Sequence, residues 1–100
     1  MMNVKISDET GDFAEDKDVA AAIRDKHIRA AVTGATEIVL DFTGVRLVTQ
    51  SFVHALISDV LRGGGEVSLK YIVFKGCTES VKGIIETVVQ YSLEAADGAG

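Results

Sequence analysis

Four groups of residues in this 100-residue chain are of types that do chemistry. Thr49-Gln50-Ser51 is a hydroxyl cluster, His27 and His54 are possible proton carriers, Asp41 closes an apolar run, and Cys77 is the one thiol. An acyl-transfer nucleophile at Ser51 would need a histidine base, an orienting acid and oxyanion-hole donors. His54 and Asp41 are available, but Ser51 lacks the Gly-x-Ser-x-Gly elbow and no glycines flank it. No catalytic residue is assigned. Cys77, His27 and His54 stand far apart, with no paired-ligand spacing, so neither a metal site nor a cofactor is expected. Gly63-Gly64-Gly65 has no following Gly-Lys-Ser/Thr and reads as a turn, not a phosphate loop. Two features remain. Ser51 lies where a phosphate could be added or held, and Asp41 could accept N–H bonds from the Thr43–Arg46 turn or, with Thr43, border a crevice.

The elements that would position these residues follow from hydrophobic period. Ile38, Val39, Leu40 and Phe42 form a short apolar run, a strand over 37–42 placed in the middle of the sheet. Thr43-Gly44 breaks it, and Val45–Val48 can add a short extended piece. Phe52, Val53, Leu56, Ile57, Val60 and Leu61 then mark one face of a helix over 50–62, which puts Thr49 and Ser51, either of which could cap it, at its N-terminus. Orphan N–H groups and the positive end of the helix dipole gather there. Further strands are expected over 3–6 and 66–74, and further helices over 19–32, capped by Asp16 or Asp18, and 79–91, capped by Thr78. Residues 7–18 read as an acidic loop with Phe13 as its anchor onto the core. Gly83 could admit a neighbouring backbone. The alternation of strand and helix predicts an α/β fold with a small, mainly parallel or mixed sheet. One domain is expected over 1–94, with a frayed tail over 95–100.

Net charge is −5, yet residues 1–18 carry six acids against two lysines, and the remaining 82 carry nine acids against eight bases. The acidity is local and the body is close to neutral, which favours association, a homodimer included. No basic stripe supports nucleic-acid binding. No apolar run approaches the ~20 residues of a membrane span. The first residues lack the apolar stretch of a signal peptide, and one cysteine allows no internal disulfide. A cytoplasmic location is the expectation.

The blocks Leu40-Asp41-Phe42-Thr43-Gly44-Val45 and Thr49-Gln50-Ser51-Phe52 resemble a STAS-like domain, in particular the small bacterial STAS-like family of unknown function. The likeness continues through Leu69–Cys77 and Ser80–Ile85 and covers most of residues 19–91. More distantly the chain is similar to anti-anti-sigma factors, where a serine at the start of this helix is phosphorylated by an ATPase-type serine kinase and phosphorylation breaks the complex. Aligned on Leu40-Asp41, Ser51 takes that serine's position. The span reads Asp-Ser-Ser-Gly in those factors and Thr49-Gln50-Ser51-Phe52 here.

Two readings follow. The resemblance implies a non-catalytic regulatory module that binds a protein partner, a kinase of that type or another regulator, through Thr49, Gln50, Ser51, Phe52 and His54, with Ser51 as the switch. The alternative is a small-ligand or nucleotide-binding domain that uses the crevice near Asp41, Thr43 and Ser51.

Overall fold

The computed structural model describes residues 2–98, and the side chains of residues 2–96. Strands β1 (Met2–Lys5), β3 (Ile38–Asp41) and β5 (Ile72–Lys75) form an all-parallel sheet in the order β1-β3-β5. The apolar run of the sequence is the central strand, as expected. Register puts Met2, Ile38 and Ile72 in one row and Val4, Leu40 and Phe74 in the next row on the same face. These six side chains join the main hydrophobic cluster. The opposite face carries Asn3, Val39 and Val73, then Lys5, Asp41 and Lys75.

The acidic stretch 7–18 is not a loop throughout. It holds helix α1 (Ile6–Thr10) and strand β2 (Phe13–Ala14), which pairs in parallel with β4 (Leu47–Val48). The extended piece near Val45–Val48 is therefore real, and its partner lies 34 residues upstream. A two-residue strand has no period to read. It exists because Asp12 O accepts from Arg46 N (2.8 Å) and Ala14 O accepts from Thr49 N (3.0 Å). Phe13, the expected anchor, is 44% exposed, and Ala14 is the buried member of the pair.

Helix α2 spans residues 17–33 as Lys17–Ile23, a π turn Arg24–Ile28, and Arg29–Thr33. Asp16 caps it, its Oδ1 accepting from Asp18 N at 2.9 Å. Helix α3 spans residues 50–64 in the same manner, with a π turn at His54–Ser58 between Gln50–Val53 and Asp59–Gly64. It runs on through Gly63 and Gly64 and stops at Gly65, whose φ is +62° and whose N–H reaches Leu61 O at 2.6 Å.

The strand expected over 66–74 is only its second half. Residues Glu66–Leu69 form a helical turn, α4, closed by Lys70 N to Glu66 O (3.2 Å) and Tyr71 N to Ser68 O (3.1 Å). Local alternation misled here. Val67 faces solvent at 66% exposure and Ser68 is buried at 4%, the reverse of what a strand would do with them. The last helix, α5 (Glu79–Gly98), is capped by Thr78, whose Oγ1 accepts from Val81 N at 3.1 Å. It continues well past residue 91, and residues 95–98, expected in the tail, are helical. Residues 99–100 lie outside the described residues. Gly83 faces open space and admits no neighbouring backbone.

One buried cluster joins the sheet face to α2, α3 and α5. Phe42, Phe52, Ile28, Leu40, Leu56, Ile57, Leu61 and Val81 are sealed within it. Burial stabilises each of the large side chains by about 1.5–3 kcal/mol against exposure. The ring centroids of Phe42 and Phe74 stand 6.5 Å apart.

Candidate functional site

The parallel β2–β4 ribbon delivers two chain segments to the same end of the molecule. Past β2, Glu15-Asp16 leads into α2; past β4, Thr49 leads into α3. Two helix N-termini therefore start close together, each with its own cap. Between them lies a concavity of ≈ 480 Å³ lined by Lys17, Gln50, Ser51, His54 and Ala55. The positive ends of two helix dipoles and the Lys17 ammonium attract anions here, offset in part by the exposed carboxylates of Glu15, Asp16 and Asp18 that flank Lys17 in the chain.

At the start of α3 the hydroxyls divide their work. Thr49 is the cap: its Oγ1 accepts from Phe52 N at 3.0 Å, and its carbonyl accepts from Val53 N at 3.2 Å. Ser51, two residues on, is exposed and takes no part in capping. Gln50 and His54 are also exposed. Phe52 is not. Its side chain is fully buried in the core, so it anchors the helix and cannot meet a partner directly. His54 begins the π turn and sets its ring 6.4 Å from that of Tyr91, and among the described residues no hydrogen bond joins it to Ser51. The other side of the π turn is held from α2, where Arg24 Nη1 donates to Ala55 O at 3.3 Å. Arg29 Nη2 donates to Asp59 Oδ2 at 2.8 Å further along.

Asp41 and Thr43 belong to a different feature. Thr43, through its hydroxyl and its backbone N–H (3.0 Å from Asp41 Oδ1), holds the Asp41 carboxyl below the ordinary carboxylate value; Lys75 and Lys5, its neighbours in register, add to that. Gly76, at φ +70°, packs against this turn. A Cβ at Gly76 would overlap Thr43 Oγ1 and stand 2.9 Å from Thr43 N and 3.1 Å from Asp41 Oδ1. Asp41 thus holds the turn that follows β3, against which Gly76 packs. Neither Asp41 nor Thr43 is among the residues that line the concavity holding Ser51.

Cys77 is half-buried, and burial, with the Asp41 charge, pushes its thiol above the ordinary value. Among the described residues no three His, Cys, Asp or Glu side chains are grouped to hold a metal ion, and no helix is long and apolar enough to cross a membrane.

Residues 19–82, more than half of the chain, match the family model described as STAS-like domain of unknown function (DUF4325). The chain belongs to this STAS-like family. No curated protein and no solved structure matches it. Within the matched span of this STAS-like domain lie most of α2, the central strand, Ser51 with all of α3, and β5. Strands β1 and β2, and with them Phe13 and Lys17, lie outside it. Lys17 is the site residue that sequence reading missed. Its only local signal was its place after the capping Asp16, and nothing in the sequence pairs it with a helix that starts 33 residues later.

Proposed function

We propose that this STAS-like domain is a regulatory protein-interaction module whose switch is phosphorylation of Ser51. The observation that carries this reading is the division of roles at the head of α3. Thr49 supplies the cap, so the exposed Ser51 hydroxyl can be esterified without removing a hydrogen bond that holds the helix. A phosphate there adds roughly −1.5 to −2 charge. Within the domain it meets the N-terminal ends of two helices and Lys17, a setting that tolerates it. A partner seated over Gln50, Ser51 and His54 meets new charge and new bulk at the contact. Modification changes binding without unfolding the domain.

The partner class is an ATPase-type serine kinase, acting as modifier, binder or both. The test is to incubate the chain with such a kinase and ATP and to weigh the intact protein. The mass of one phosphate should be gained by the native chain and not by Ser51→Ala. Ser51→Asp should weaken the complex by tenfold or more. A gain retained in Ser51→Ala, or no gain at all, overturns the switch.

A further inference from the structure

The β2–β4 ribbon buries the wrong pair for a domain that stands alone. Its register sets Phe13 beside Leu47 and Ala14 beside Val48. Side chains alternate between the two faces of a strand, so one pair faces in and the other out. The pair turned inward is the small one, with Ala14 fully buried and Val48 at 5% exposure. The pair turned outward is the large one, Phe13 at 44% and Leu47 at 50%. A slip of one residue would reverse this, but the backbone bonds from Arg46 N and Leu47 N to Asp12 O and from Thr49 N to Ala14 O fix the register as it is. An exposed aromatic residue beside an exposed leucine makes an apolar patch, and phenylalanine is among the residues enriched where interfaces bury their core.

Charge around the anchor states what can cover it. Asp8, Glu9, Asp12, Glu15, Asp16 and Asp18 are all exposed and lie within five residues of Phe13 along the chain; the one base in that span is Lys17, and Arg46 stands beside Leu47. Arg46 is engaged with Asp12 at 3.8 Å. From the outward Phe13–Leu47 pair and its acidic surround we infer that this ribbon is a docking surface for a protein partner that presents apolar side chains ringed by lysine and arginine. An acidic ring favours such a partner, speeds its approach at low salt and repels an acidic one. A second copy of this chain would bring the same acidic segment against itself. The inference rests on the reading of the domain as an interaction module and gives that partner's surface a sign.

The test uses a random-peptide library displayed on phage and panned on the native chain, with depletion against the double variant Phe13→Ser/Leu47→Ser. Both side chains are half in solvent, and circular dichroism checks that the double variant folds. Should it not fold, Glu9→Lys/Glu15→Lys, at exposed positions with no ion pair among the described residues, replaces it for depletion. The enriched peptides should combine apolar residues with an excess of Lys and Arg. One of them, synthesised, should bind the native chain at least about tenfold tighter than either variant and should weaken as salt rises. Peptides that bind native and variant chains alike, peptides with an acidic excess, or no enrichment at all overturn the inference. So does sedimentation that shows a dimer of the native chain lost in Phe13→Ser/Leu47→Ser, since a second copy would then be the occupant. Repeating the titration on Ser51→Asp separates the two proposals. Binding that needs Phe13 and Leu47 but ignores Ser51→Asp keeps the ribbon whatever the kinase assay returns for the switch, and binding that is lost in Ser51→Asp but survives Phe13→Ser/Leu47→Ser overturns the ribbon.

Discussion

Ser92 Oγ of α5 donates to Ser58 Oγ of α3 at 3.0 Å, and both residues are buried. Ser58 closes the π turn of α3, so this bond ties the last helix to the irregular turn of the helix that carries Ser51. A buried hydroxyl left without a partner costs about 1–3 kcal/mol, whereas removing both partners together is close to neutral. Ser58→Ala and Ser92→Ala should each lower stability by that amount, and the double variant should lose less than the sum. Urea denaturation of the four chains measures the coupling. Additive losses would show that the pair does not act as a pair.

The two hydroxyls at the head of α3 should separate in the same assay. Thr49→Ala removes the cap and should cost about 1 kcal/mol, seen as a lower melting temperature, while Thr49→Ser should retain most of it. Ser51→Ala should change stability by less than about 0.5 kcal/mol. A large loss in Ser51→Ala would mean that its hydroxyl holds the helix, and phosphorylation would then disturb the fold.

Gly76 combines a left-handed backbone, φ +70°, with a neighbour where a Cβ would go. Gly76→Ala should cost about 2–4 kcal/mol from backbone strain and overlap with Thr43. Gly83→Ala, on an open helix face, should instead stabilise by up to about 1 kcal/mol. The opposite signs, read from midpoints of unfolding, test the placement of both glycines.

Acid should weaken the domain partly through Asp41. The bonds from Thr43, with Lys75 and Lys5 nearby, depress its folded value below the unfolded one. A depressed carboxylate contributes stability that is complete above the ordinary value of about 4 and is lost as pH falls through the folded value. Asp59, held down first by its bond to Arg29, follows the same sign. The difference in melting temperature between native chain and Asp41→Asn should therefore be present at neutral pH and close as pH drops below about 4. A difference that persists at low pH would assign the effect to packing.

How much of this was legible depends on the range of the interaction that decides each element. The central strand, the periodic faces of α3 and α5, the caps at Asp16, Thr49 and Thr78 and the family likeness around Ser51 are local, because hydrophobic period and capping chemistry act within a few residues. The chain by itself therefore determined an α/β fold and a hydroxyl at a helix start. Tertiary structure decided the rest. It paired Phe13 with Leu47 across 34 positions, coiled Glu66–Leu69 around a buried Ser68, sealed Phe52 in the core and packed Gly76 against the Asp41–Thr43 turn. It also set Lys17 in the same concavity as Ser51. No local pattern encodes these, because each depends on which distant backbone supplies the hydrogen bonds and which face is left uncovered once the core has closed.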